Sequence, residues 1–226
     1  MVQCRGRSRP VIVILLGSPG SGKGTQAQRL AGKFAFQHLA TGDIFRTEIA
    51  QKSALGLKAQ DYVRAGKLVP DEVVTEMVAA RLEVRGKYLL DGFPRNLAQA
   101  QSLDEILKRN GSTIDLVFYL TLHPTEAIRR MSSRRICVQC ADVYNALSRP
   151  PKTDGVCDKC GGKVIQREDD AEATAAKRLM VFNDLTEPLV AYYKAEQVFH
   201  SIDAANSPDQ VEAALSAVIE SARTAR

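Results

Sequence analysis

Apolar side chains along this chain fall into two patterns. Residues 11–16 (VIVILL) and 116–122 (LVFYLTL) are nearly unbroken apolar runs of strand length, as expected for strands buried on both faces. Residues 88–90 open another short strand that ends at Asp91, residues 198–203 read as a last one, and residues 36–39 as a weaker edge strand. Between them, residues 25–34, 71–84, 97–110 and 171–197 repeat their apolar positions with helical period. Pro188 predicts an end or a kink in the longest of these. Ser207-Pro208-Asp209-Gln210 is a helix-start signature, with a serine cap, proline at the first position and glutamine at the third. It predicts a closing helix over residues 208–222. Strands alternating with helices predict an α/β protein whose parallel sheet is covered on both faces.

Two stretches break the alternation. Residues 40–69 are helical in pattern but precede no strand of their own. Residues 133–170 show little helical period and hold four cysteines, Pro150-Pro151 and three glycines. Both read as insertions into a core made of residues 11–39, 70–132 and 171–226.

The turn after the first strand is GSPGSGKGT, residues 17–25, with glycine at four of nine positions. Gly17, Gly22 and Lys23 give the pattern G-x-x-x-x-G-K between a strand and a helix, the context that lends it meaning. Without Cβ atoms, successive backbone N–H groups turn inward around a phosphate. The N-terminus of the following helix adds partial positive charge, and Lys23 reaches the outer phosphates. The segment Gly20-Ser21-Gly22-Lys23-Gly24-Thr25 is therefore the expected polyphosphate cradle. Gly24 stands where a hydroxyl normally meets magnesium, and Thr25 follows one place later.

Three more motifs concern a second ligand. They are Ala40-Thr41-Gly42-Asp43-Ile44-Phe45-Arg46, then Arg64-Ala65-Gly66-Lys67-Leu68-Val69, then Asp91-Gly92-Phe93-Pro94-Arg95 with Gln99 beyond it. With them the sequence resembles the adenylate kinase family from about Val11 to the last helix. The resemblance implies a P-loop nucleoside triphosphate hydrolase-like sheet, an NMP-binding insertion (40–69) and a lid (133–170). It implies transfer of a phosphoryl group from MgATP to AMP, giving two ADP, by a monomer. Arg46 and Arg95 would grip the AMP phosphate, Thr41 and Gln99 would meet the adenine, and Lys67, Leu68, Val69, Gly92, Phe93 and Pro94 would wall the site. Asp91 would hold magnesium-bound water. Arg130, Arg134, Arg167 and Arg178 would surround the phosphates as the lid closes, while Val143, Tyr144 and the backbone of Asn206 would contact ATP. Asn96 is discordant, because asparagine after GFPR is commoner in pyrimidine monophosphate kinases. UMP or CMP is thus the alternative acceptor.

Cys137-x2-Cys140 and Cys157-x2-Cys160 are sixteen residues apart, the spacing of a Cys4 zinc site. Four thiolates leave no open coordination position, so the expected role is structural, replacing the core that a 38-residue lid lacks. Iron would accept the same ligands. Gly161 follows the second pair, where the first has Ala141. His38, His123 and His200 fit no metal spacing and are expected to be satisfied or exposed.

Composition narrows the picture further. Of 226 residues, 45% are hydrophobic and 25% charged, ordinary for a globular domain. A net charge of +5 and a pI near 9.0 point to an acidic partner. With no Trp and 6% aromatics there is little for stacking bases, so a nucleotide is expected rather than nucleic acid. The competing reading is a zinc-ribbon nucleic-acid binder with an incidental phosphate loop. No apolar run approaches the roughly 20 residues of a membrane span. Residues 1–10, with three arginines and the lone Cys4, read as a basic tail rather than a secretory signal, which makes a cytoplasmic protein the expectation.

Overall fold

The apolar run opening the chain forms β1 (Val11–Gly17), the centre of a five-stranded parallel sheet ordered β2-β3-β1-β4-β8. It pairs with β3 (Lys87–Asp91) and β4 (Leu116–Thr121), while β2 (Gln37–Ala40) flanks β3 and β8 (Phe199–Asp203) flanks β4. The computed structural model describes residues 11–82 and 86–224. The predicted basic tail with Cys4, and Val84 at the end of the helix expected over 71–84, lie outside the described residues.

The continuous hydrophobicity of β1 has a direct cause. Ile12, Ile14 and Leu16 enter the core cluster on one face of the sheet, and Val13 and Leu15 the cluster on the other. Each such side chain is buried, worth about 2 kcal/mol apiece in transfer free energy. The first cluster packs against α4 (Asp71–Ala79), α5 (Leu97–Arg109) and α8 (Pro188–Lys194), the second against α1 (Lys23–Phe34) and α9 (Pro208–Thr224). The predicted start signature of α9 forms as a reciprocal cap: Gln210 N donates to Ser207 Oγ at 3.3 Å and Ser207 N to Gln210 Oε1 at 3.1 Å. The weak strand expected at residues 36–39 is β2, at the sheet edge.

Three expectations change in detail. The helix predicted over 71–84 ends at Ala79. The long helix over 171–197 is divided into α7 (Glu172–Val181), a wide π-type turn (Phe182–Thr186) and α8. Pro188, expected to break it, sits in the first turn of α8, where its missing N–H costs nothing. The break lies just before it, in the π-type turn, whose Thr186 hydroxyl donates to Arg95 O at 2.7 Å.

Both interruptions of the pattern leave the sheet. Residues 40–69 form α2 (Thr41–Ala50) and α3 (Ala54–Arg64), packed on each other so tightly that a Cβ on Gly56 would lie 2.1 Å from Glu48 O. Between α6 (Pro124–Ser132) and α7, the chain builds a second, antiparallel sheet from β5 (Arg134–Cys137), β6 (Val143–Asn145) and β7 (Val164–Ile165). No alternation in so short a set of strands announced it.

Candidate active site

The carboxyl ends of β1, β3 and β8 open onto one cavity of about 870 Å³. This is where parallel α/β sheets place ligands, because the crossovers diverge on either side of β1. The glycine loop forms its floor. Gly20 and Gly22 take φ of 85° and 89°, a left-handed backbone that other residues adopt only at a cost, and a Cβ on Gly20 would strike Ala127 O at 2.5 Å. Among the described residues no side chain caps α1 and none in its first turn is acidic, so its N–H groups face the cavity uncompensated. The Ser21 hydroxyl, almost fully buried in the loop, also has no hydrogen-bond partner among the described residues. These unpaired donors fit an anion.

Lys23 Nζ bridges the loop's own carbonyls, at 2.7 Å from Gly17 O and 2.9 Å from Ser18 O. Burial lowers its pKa to about 8; Asp91 opposes that fall, and the Arg95, Arg178 and Arg134 charges deepen it. An anion must meet the ammonium form, so above pH 8 binding has to take up a proton. The dissociation constant for ATP is expected to be flat from pH 7 to 8 and to rise by up to about tenfold per unit above it. Calorimetric titration from pH 7 to 9.5 checks this, and a flat profile throughout would contradict it.

Asp91 ends β3 directly opposite the loop, with its Oδ2 3.6 Å from where a Cβ on Gly24 would stand. His38 Nε2 lies 3.3 Å from the same oxygen. Burial pushes the Asp91 carboxyl up, but the hydrogen bond to His38 and the nearby Lys23 charge bring it below the usual range. His38 is thus satisfied, as expected. A carboxylate so held, beside a phosphate cradle, suits a hydrated divalent cation.

The second-ligand motifs converge on the other end of the cavity. Thr41, Arg46, Lys67, Leu68, Val69, Gly92, Pro94, Arg95 and Gln99 all line it. Phe93 does not: its ring is buried in the core on that face of the sheet, so it supports the site from behind. Thr41 Oγ1 donates to Gly92 O at 2.9 Å, which leaves its oxygen as an acceptor. Asn96, the discordant letter, does not line the cavity. It caps α5, accepting from Gln99 N at 2.9 Å, and its amide turns away towards Asp71.

Arginines gather between the two ends. Burial and mutual repulsion lower Arg95 and Arg167 to about 10 each, the sign of a site short of negative charge. Arg167 Nε has no hydrogen-bond partner among the described residues. Arg134 makes a two-pronged contact with Asp170, at 2.7 and 2.5 Å, and Arg178 shares that carboxylate at 2.9 Å and reaches Asp169 at 3.0 Å. Arg46 meets Asp43 at 2.5 Å, and Arg167 approaches it at 3.5 Å, linking the first insertion to the end of the second. Arg130 donates to Ala204 O at 2.9 Å and pairs with Glu126. Asp43, Asp169 and the wholly buried Asp170 were given no role by the sequence reading. The run Arg167-Glu168-Asp169-Asp170 carried the signal, since two acids beside a phosphate-binding arginine need a use.

In the lid, the four cysteine Sγ atoms lie within 4.8 Å of one another, and the Cys137–Cys160 and Cys140–Cys157 pairs are each 3.5 Å apart. Tetrahedral zinc with Zn–S near 2.3 Å sets its sulfurs about 3.8 Å apart, so the donor set fits. Ala141 and Gly161 occupy matching places after their pairs, at φ of 58° and 72°. Their N–H groups donate to Cys137 O and Cys157 O at 3.0 and 2.9 Å, so both halves form the same knuckle although only one has glycine. The Tyr144 hydroxyl, with backbone N–H groups of Lys159 and Cys160, lowers Cys157 to about 6. Tyr144 lines the cavity with Val143, but its hydroxyl is taken, donating to Cys157 Sγ at 3.4 Å and accepting from Asp158 N at 2.8 Å. The hydroxyl is therefore not the group left free for the expected ATP contact. Asn206 likewise lines the cavity with its amide turned to Asp203 O, leaving its backbone available.

A phosphate-binding loop at the switch point of a parallel sheet, facing an arginine-lined second site, defines a two-substrate phosphotransferase. A family model described as adenylate kinase matches residues 15–198. The chain is 48% identical to an adenylate kinase of Caldicellulosiruptor bescii over 187 residues, 81% of this chain and 87% of that one. It is 47% identical to one of Acidothermus cellulolyticus (89% and 94% covered) and 45% identical to one of Streptomyces coelicolor (88% and 94%). The chain belongs to the adenylate kinase family, whose reaction is reversible phosphoryl transfer between ATP and AMP. The nucleic-acid-binding and pyrimidine-kinase readings are not favoured. No helix among the described residues is long and apolar enough to cross a membrane.

Proposed function

We propose that ATP lies with its phosphates on residues 20–25 and AMP with its phosphate between Arg46 and Arg95, so that the γ-phosphoryl group passes between them across the arginine cluster. The observation that carries this is the single cavity, lined at one end by the glycine loop and at the other by Thr41, Arg95 and Gln99. An AMP phosphate oxygen attacks the γ-phosphorus as the bond to the β–γ bridging oxygen breaks, leaving two ADP. The attacking oxygen is already an anion, so no general base is needed. Lys23, Arg134, Arg167 and Arg178 hold the transferred group and balance its charge, which is most of what phosphoryl transfer requires. Magnesium brought with ATP would supply further charge neutralisation, and Asp91 is the residue that would hold it through water.

Residues 40–69 and 133–170 act as covers over AMP and ATP, and their closure excludes water. Cys137, Cys140, Cys157 and Cys160 would hold one structural zinc in the second cover. Both covers and all the phosphate-binding groups come from one chain, which supports a monomer. Unpaired thiols throughout the lid suit the cytoplasm.

Coupled phosphoryl-transfer assays with MgATP and AMP, UMP, CMP or GMP test the reading. AMP is expected to be preferred strongly, and Gln99→Ala to reduce kcat/KM for AMP about a hundredfold while changing UMP little. A preference for UMP or CMP would overturn the assignment of Thr41 and Gln99 to the base.

A further inference from the structure

Gln99 is almost wholly buried and its amide is held from two sides. Arg95 N donates to its Oε1 at 2.8 Å, and its Nε2 donates to Asp71 Oδ1 at 2.7 Å. Asp71 stands at the start of α4, outside the cavity lining. The same carboxylate accepts twice from Asn96 Nδ2, at 2.9 and 3.0 Å, and Asn96 in turn fixes Gln99 N.

We propose that Asp71 sets the base specificity of the acceptor site by locking the orientation of the Gln99 amide. A backbone N–H can only donate and a carboxylate can only accept. One orientation of the amide satisfies both, and its flip would face N–H against N–H and oxygen against carboxylate. The lock leaves one Nε2 hydrogen and one Oε1 lone pair unspent, side by side. That pair matches N1 and the 6-amino group of a 6-aminopurine. A 6-oxopurine presents the reverse, an N1 hydrogen and an oxygen, and meets donor with donor. Thr41 points the same way, since its hydroxyl hydrogen is spent on Gly92 O and its oxygen is left to accept from an amine. Asn96 thus acts on the base only indirectly, by holding Asp71 and the Gln99 backbone N–H.

Asp71 is a positioning residue, and the inference rests on Gln99 being a base contact. The test is kcat/KM for AMP and IMP, which differ only at N1 and C6, in the wild type and in Asp71→Ala, Asp71→Asn and Gln99→Ala, with melting curves for each. Asp71→Ala is expected to reduce the AMP/IMP ratio about tenfold, because one of the two restraints is gone while Arg95 N remains. Asp71→Asn, whose amide can turn either a donor or an acceptor to Gln99, is expected to lower the ratio as Asp71→Ala does. Should Asp71→Ala not fold, Asp71→Ser, polar but too short to reach Gln99, gives the same readout. If Gln99→Ala leaves the ratio unchanged, the reading of Gln99 fails. If Gln99→Ala collapses the ratio and Asp71→Ala does not, or lowers only the melting temperature, the lock is overturned.

Discussion

Replacing Arg95 with alanine is expected to lower kcat/KM for AMP by about a thousandfold, with the protein still folded. The guanidinium sits just beyond β3, its Nε donating to Gly92 O at 2.8 Å while the rest of the fork lines the cavity. Burial pulls it down to about 10, with the Arg178 charge adding to the fall. A phosphate arriving there therefore gains a two-pronged contact and relieves a repulsion already present. Both gains vanish in the variant, so KM for AMP should rise and kcat should fall. The fold should survive because the backbone is tied independently: Arg95 O accepts from Thr186 and Arg95 N donates to Gln99. Steady-state kinetics beside a melting curve settles the matter. An unchanged kcat/KM would remove Arg95 from the phosphate site.

Converting Cys157 and Cys160 together to serine is expected to lower the melting temperature by about 10 °C and to abolish bound zinc. Activity at 25 °C should fall far less. The lid has almost no core of its own: the only large buried side chains of its cluster are Tyr144 and Val164, packed among the cysteines. Val138, Leu147, Val156 and Ile165 are exposed rather than packed. Metal binding must then supply what apolar burial does not. The cysteines are also remote from the transferred phosphoryl group in role, since four thiolates leave a metal no open position for chemistry. Metal analysis and calorimetry on the variant check the claim. Unchanged metal content with an unchanged melting temperature would overturn the zinc assignment.

The excess of positive charge offered two partners, nucleotide or nucleic acid, and charge alone could not choose. The arrangement of the arginines accounts for part of that charge without a nucleic-acid surface. Arg46, Arg95, Arg134, Arg167 and Arg178 converge on one cavity, where Asp43, Asp169 and Asp170 partly balance them. Asp169 is drawn below the usual carboxylate range: burial opposes this, but Arg178 and Arg46 outweigh it. A phosphate chain competes with these carboxylates for the same guanidinium groups. On the proposed reading, closing and opening of the covers would exchange one set of ion pairs for another rather than leave charges bare.

Asn96 shows how a single letter misleads. Its identity after GFPR suggested a pyrimidine acceptor, yet its oxygen caps α5 and its amide holds Asp71. The letter reports on support behind the base site. Phe93 and Tyr144 likewise carry side chains that support the site. They belong to motifs that line the cavity, while the Phe93 ring fills the core and the Tyr144 hydroxyl completes a cysteine knuckle.

What the sequence determined by itself was whatever a few neighbouring residues can encode. The glycine loop, the paired cysteines, the reciprocal cap at Ser207 and Gln210, and the doubly buried strands each depend on spacing within a turn or on a period along one element. Their physics is complete over a short stretch of chain. The tertiary structure alone decided which distant groups share a charge or a hydrogen bond. Asp170 between Arg134 and Arg178, Asp71 against Gln99, and the antiparallel pairing of Ile136 with Ile165 join residues that leave no periodic trace. Buried charges must find partners wherever the fold brings them. Those partners, rather than the motifs, set the orientation of the groups that line the cavity.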